Sequence, residues 1–108
     1  MEQILELSEV LKALSDPTRL KLVILLQEHG RALCVKGLAR KLEISQPAVS
    51  QHIRILKQAR LIKGGRCGCF SHYSLNTECL EGHLDKLQHV LGCKNKQDRS
   101  SAEHTEQE

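Results

Sequence analysis

The chain has no tryptophan, one phenylalanine (Phe70) and one tyrosine (Tyr73). Proteins that hold single-stranded nucleic acid stack its bases on aromatic rings, so this scarcity argues against such a ligand. No run of 18 or more apolar residues occurs, which excludes a helical membrane span within these residues. There is no Cys-x-x-Cys pair, no glycine-rich phosphate loop and no carboxylate pair at active-site spacing, so no enzyme is expected. The opening MEQILELSEV carries acids where a secretion signal would be basic, and a cytoplasmic protein is expected. Acids are scarce in one further place. Residues 31 to 66 hold nine Lys or Arg and a single acid, Glu43, although the whole chain carries only +3. A block this lopsided points to a polyanion, and the lack of stacking rings makes double-stranded DNA the better fit.

What is present in excess is cysteine: Cys34, Cys67, Cys69, Cys79 and Cys93. The number is odd and the spacing irregular. In a reducing compartment that suggests metal, redox or regulatory chemistry rather than a disulfide framework. The plainer alternative is that some are small buried apolar residues. At 108 residues the chain is expected to form one domain over 1–93, followed by a polar, disordered tail over 94–108. A core of this size is modest, and burial against a second copy would add to it.

Ile4, Leu7, Leu11 and Leu14, with Val10 beside them, predict a helix over 3–14. Asp16 and Pro17 then read as the N-cap and first position of a second helix, closed by Gly30. Its LVILL core is apolar on most sides and predicts a helix central to the fold. A short third helix over 35–42 is followed by SQPAVSQHIRILKQA, with Ser45 as cap. In that fourth helix Val49, Ile53 and Leu56 face inward, while Gln46, Ser50, Gln51, Arg54 and Lys57 face outward. His52 flanks the inward face, where packing is favoured over DNA contact. Two helices joined by a tight turn, the second polar and basic outside, are a helix-turn-helix pattern. LIKGG predicts a strand, RCGC a turn and FSHYSL a second strand, which makes a wing. Residues 77–91 close the chain with an amphipathic helix whose Leu80, Leu84, Leu87 and Leu91 suggest a dimer seam.

DPTRLKLVILL, ALCVKGLARKL, ISQPAVSQHIRILKQARLI and HYSL, in this order and spacing, together resemble the ArsR/SmtB winged-helix repressors. The resemblance covers about residues 8 to 91. It implies a mostly α fold with a small β-hairpin, ordered α-α-α-α-β-β-α, and a homodimer through the first and last helices. It also implies operator binding, with release when a metal ion, metalloid or thiol oxidant acts on the protein. Two glycines common in such sequences are replaced here, by Glu43 after the third helix and by Arg60 after the fourth.

On this frame Ser45, Gln46, Ser50 and Gln51 are candidates for base contacts, because uncharged donors and acceptors suit base edges. Arg54 is a candidate for base or phosphate. Lys41, Lys57, Lys63 and Arg66 are candidates for phosphate neutralisation, which adds affinity without sequence information. The cysteines form three constellations. Cys34 stands where arsenic- and cadmium-type relatives carry Leu-Cys-Val-Cys, but Lys36 replaces the second thiol. Aligned on YSL, the zinc-type ligand positions of the last helix fall on Thr77, Cys79, Val90 and Cys93. Only Cys79 and Cys93 keep ligand atoms, and the helix rise places them too far apart to share an ion within one chain. Cys67 and Cys69 share one face of the wing tip if that segment is extended, and Cys34 is a candidate third thiol. Five thiols and few oxygen or nitrogen ligands favour a thiophilic inducer, arsenite or a soft divalent ion, with no obligatory cofactor. A thiol-redox or reactive-sulfur switch without metal is the alternative, and a non-sensing architectural nucleic-acid-binding protein a remote one.

Overall fold

The computed structural model describes residues 1–67 and 70–93, with 66, 67, 70 and 71 described through their backbone alone. The order is α1 (Glu2–Leu14), α2 (Pro17–His29), β1 (Leu33–Cys34), α3 (Val35–Leu42), α4 (Gln46–Gln58), β2 (Ile62–Cys67), β3 (Phe70–Leu75) and α5 (Thr77–Leu91). Local chemistry sets most of these boundaries. The Asp16 carboxylate accepts the Arg19 backbone N–H at 3.0 Å, which satisfies one of the unpaired donors of α2. Gly30 closes that helix at φ 70°, a conformation that only glycine adopts without strain. Ser45 Oγ accepts the Ala48 N–H at 3.2 Å and opens α4.

Leu22, Leu38, Val49, Leu56 and Leu61 are fully buried and form the centre of the core, drawn from α2, α3, α4 and the approach to the wing. α2 is central to the fold as expected, packed against α1, α3, α4 and β3, though not every apolar residue of it is covered. Leu22 and Leu26 are buried, whereas Leu20 and Ile24 remain 45% and 48% exposed, because one helix presents only one stripe to a core this small.

The sheet departs from the expected two-stranded hairpin in two ways. A third strand, β1, lies outside β3 in the order β1-β3-β2, with Leu33 opposite Tyr73 and Cys34 opposite His72. Two residues carry no periodicity, so only pairing across the fold reveals them. Arg66 and Cys67, expected in a turn over RCGC, instead continue β2 and pair with Ser71 and Phe70. Residues 68 and 69 lie outside the described residues, and with them the expectation placed on Cys69. The 94–108 segment also lies outside them. Gly64, at φ 128°, lets β2 press on β3, because a Cβ there would overlap the carbonyl oxygen of His72.

Both replaced glycines sit in left-handed backbone, Glu43 at φ 57° and Arg60 at φ 62°. A Cβ in that conformation costs roughly 1–2 kcal/mol. Glu43→Gly is therefore expected to raise stability by about 1 kcal/mol after the entropy of glycine is subtracted. A thermal melt should show this as a rise of about 4–8 °C.

α5 behaves unlike the other helices of the chain. It is capped at both ends, by the Asn76 side chain and by Gly92, yet none of its residues is buried. Leu84, Val90 and Leu91 are 55%, 49% and 66% exposed. Leu87, Val90 and Leu91 join Ile4, Leu7 and Leu11 of α1 along one open apolar groove.

Candidate nucleic-acid interface

The inward residues of α4, Val49, Ile53 and Leu56, are all buried. Their burial fixes the rotation of the helix about its axis and turns Gln46, Ser50, Gln51, Arg54 and Lys57 outward, where all five are exposed. Ser45 is exposed as well. Its hydroxyl oxygen is used as the helix cap, which leaves its hydrogen free to donate. Lys41 on α3 and Lys63 on β2 are also exposed. The side chain of Arg66 lies outside the described ones. Eight of the nine residues singled out for DNA are thus seen to reach solvent.

Lys57 ties α4 to the wing. Its ammonium lies 5.8 Å from the centroid of the Tyr73 ring on β3, within range of a cation–π contact. The only tyrosine therefore orients a cation at the junction of helix and sheet. The alternation of FSHYSL places Tyr73 on the core side, but this contact has no local signal in the sequence.

Arg19 was not singled out by its sequence context, yet it joins three helices. Its Nε donates to the Ala13 carbonyl at 2.6 Å, satisfying an open acceptor at the end of α1. Its Nη1 lies 3.4 Å from His52 Nδ1 on α4. Since arginine only donates, that contact requires the imidazole to accept at Nδ1. His52 thus packs behind the recognition face, as favoured from its position. The Asp16 carboxyl is held below its ordinary range, first by the Arg19 backbone N–H and then by the Arg19 guanidinium, with desolvation opposing. A lowered carboxylate contributes stability that is present above its unfolded pKa and lost as pH falls through the folded one. Arg19→Ala removes the α1 cap and the tie to α4. It is expected to cost about 2 kcal/mol, since hydrogen bonds from charged donors contribute roughly 1.5–3 kcal/mol. Urea denaturation should show a lower midpoint at unchanged slope.

The cysteines whose side chains are described, Cys34, Cys79 and Cys93, are dispersed. Cys34 is the N-cap of α3, and its Sγ accepts the Gly37 N–H at 3.3 Å. Cysteine is an unusual cap, so that role has no local signal among the residues around it. Cys79, half-buried on α5, has its Sγ 3.4 Å from Nε2 of His83. Cys93 is exposed beyond the Gly92 cap. Cys34 and the backbone of Cys67 are separated by two strand spacings and two residues along the sheet, roughly 12 Å between Cα atoms. A thiolate reaches an ion about 5 Å from its Cα, so these two do not meet at one ion within one chain. Among the described residues no three His, Cys, Asp or Glu side chains converge as a metal site. Nor, among them, is any helix long and apolar enough to cross a membrane.

Comparison with known proteins bears on the same surface. Residues 16–63 match the family model described as bacterial regulatory protein, arsR family. The transcriptional repressor SdpR of Bacillus subtilis is 41% identical over 92 residues, which cover 85% of this chain and 97% of that protein. The arsenic resistance transcriptional regulator ArsR1 of Pseudomonas putida is 37% identical, over 84% of this chain and 76% of that one. Among solved structures, an ArsR-like transcriptional regulator from Rhodococcus sp. RHA1 superposes with a TM-score of 0.75. It covers 98% of this chain and 95% of its own at 24% identity, a likeness of fold.

Proposed function

Because the chain belongs to the arsR family of bacterial regulatory proteins, a family of DNA-binding transcriptional regulators and not of enzymes, we propose that this repressor acts as a homodimer on a two-fold operator and is released by a thiophilic inducer. The observation that carries the DNA reading is the outer face of α4, where Gln46, Ser50, Gln51, Arg54 and Lys57 are exposed together above a buried Val49–Ile53–Leu56 stripe. Those side chains enter the major groove, with Gln46, Ser50 and Gln51 at base edges. Lys41, Lys57, Lys63 and Arg66 hold phosphates on either side.

The dimer reading is supported by the apolar groove of α1 and α5, which a second copy would cover with the same groove. The inducer reading is supported by the five thiols and by similarity to regulators named for arsenic and cadmium resistance. Arsenite or a soft divalent ion is the inducer, held by Cys34, Cys67, Cys69, Cys79 or Cys93 in a set that spans both copies or draws on the wing tip. A soft ion must favour the weakly binding conformation by a few kcal/mol to empty the operator.

The test is fluorescence anisotropy of reduced protein on its own promoter DNA, titrated with arsenite, then cadmium, then a mild oxidant. Release by a soft ion that Cys67→Ser/Cys69→Ser abolishes assigns sensing to the wing. Equal release from both proteins moves it to Cys34, Cys79 and Cys93. No release by either ion overturns the metal reading, and release by oxidant alone replaces it with thiol oxidation.

A further inference from the structure

Away from the recognition face, α1, the end of α4 and α5 enclose a cleft of about 390 Å³, the size range of small-ligand sites. Cys79 and His83 line it from α5, Glu6 and Glu9 from α1, and Arg60 follows α4. Cys79 and His83 are four residues apart on one helix, and this spacing brings Sγ to 3.4 Å from Nε2. The other ring nitrogen, Nδ1, is buried without a hydrogen-bond partner among the described residues. Buried polar atoms left in this state are uncommon, and a redox or catalytic role is one of the few explanations for them.

A nucleophile with a proton acceptor at hydrogen-bond distance, opening on a cleft, is the arrangement of an activated thiol. The alternative, a metal centre, lacks ligands. Two donors fall short of the four that a structural zinc site takes, and among the described residues no third converges. The charges of the cleft narrow the partner. Lys86 is already paired with Glu6 at 3.4 Å, and Glu9 holds Lys12 loosely at 3.9 Å. Arg60 is exposed, and among the described residues no carboxylate lies within ion-pair range of it. A cleft with a cation to spare on one side and a loosely held carboxylate on the other suits a molecule carrying both signs.

We propose that Cys79 is a modification site for small zwitterionic disulfides of the amino-acid class, with His83 as its base. His83 Nε2 takes the thiol proton as Sγ attacks one sulfur of the disulfide. The S–S bond breaks, the departing thiolate takes the proton back from the imidazolium, and a mixed disulfide remains on Cys79. One thiol is oxidised and one half of the disulfide reduced, so no other oxidant takes part. The adduct lies between the helices of the apolar groove and residues Gln58–Arg60 at the end of the recognition helix, and it therefore bears on DNA affinity. That consequence rests on the repressor reading above; the chemistry at Cys79 does not.

The test treats the fully reduced, full-length protein with cystine, quenches samples over time and follows each cysteine by peptide mass mapping. Exposure alone ranks Cys93 ahead of half-buried Cys79. The expected order is reversed, with Cys79 at least about tenfold faster, and His83→Gln slows Cys79 by roughly a hundredfold while Cys93 is unchanged. Equal rates in the wild type overturn the proposal without recourse to any variant. So does a folded His83→Gln protein that reacts at the wild-type rate. Promoter anisotropy of the modified protein forms a separate arm. Unchanged affinity there overturns the coupling to DNA but leaves the site, whereas failure of the reduced protein to bind its promoter counts against the repressor reading alone.

Discussion

Between 50 and 200 mM salt, the affinity of the reduced protein for its operator is expected to fall by roughly 10³–10⁵-fold, the loss that goes with six to ten neutralised phosphates. Lys41, Arg54, Lys57 and Lys63 are exposed in each chain, so two copies present eight cations before Arg66 is included. Each neutralised phosphate releases condensed counterions, and the logarithm of affinity falls with the logarithm of salt by about 0.9 per contact. Fluorescence anisotropy across a salt series measures that slope. Lys63→Ala should lower it by about two per dimer and weaken all sequences alike. Gln51→Ala should leave the slope alone and cost about 1–3 kcal/mol on the cognate site only. A flat salt response is incompatible with the proposed interface.

Leu11→Asp is expected to abolish dimerisation and leave each chain folded. Leu11 is 46% exposed on α1, lines the apolar groove and is absent from the core cluster, so a lone chain loses little by the change. In an isologous interface the change is made twice. Burying a leucine contributes roughly 1.5–3 kcal/mol, and the new carboxylate must also be stripped of water. The dimer dissociation constant should rise at least about a thousandfold. Sedimentation equilibrium should then give the mass of one chain, with circular dichroism near wild type. A dimer that persists would move the seam elsewhere.

The helices and their caps were legible in the sequence because their determinants are local. Asp16 with Pro17, and Ser45 with the proline after Gln46, announce helix starts within a few residues. The outward face of α4 followed from counting back from Val49, Ile53 and Leu56. What was not legible depends on parts of the chain that meet only after folding. β1 exists because Leu33 and Cys34 find β3 some forty residues later. The extension of β2 through Cys67 was hidden by a glycine that reads as a turn, until pairing with Phe70 is considered. Arg19 carries no motif for its tie between α1 and α4. His83 was findable, since it stands one turn from Cys79, but spacing alone does not show that the pair opens on a cleft. The left-handed backbone at Glu43 and Arg60 was legible only through the resemblance, as glycines replaced.

α5 holds its 15 residues in a capped helix without burying one of them. A helix of that length is marginal in water on its own. In the proposed dimer a second copy covers its open face, so the helix, held in one chain through Leu80 and the Lys86–Glu6 pair, tightens further as two chains associate. Amide exchange in α5 should then slow as protein concentration rises, while α2 and α4 keep their protection. In the proposed dimer, the steepness with which promoter occupancy follows the cellular amount of repressor is set by that association. The open apolar end of α5, Leu84, Val90 and Leu91, is in that reading a device for counting copies of the protein.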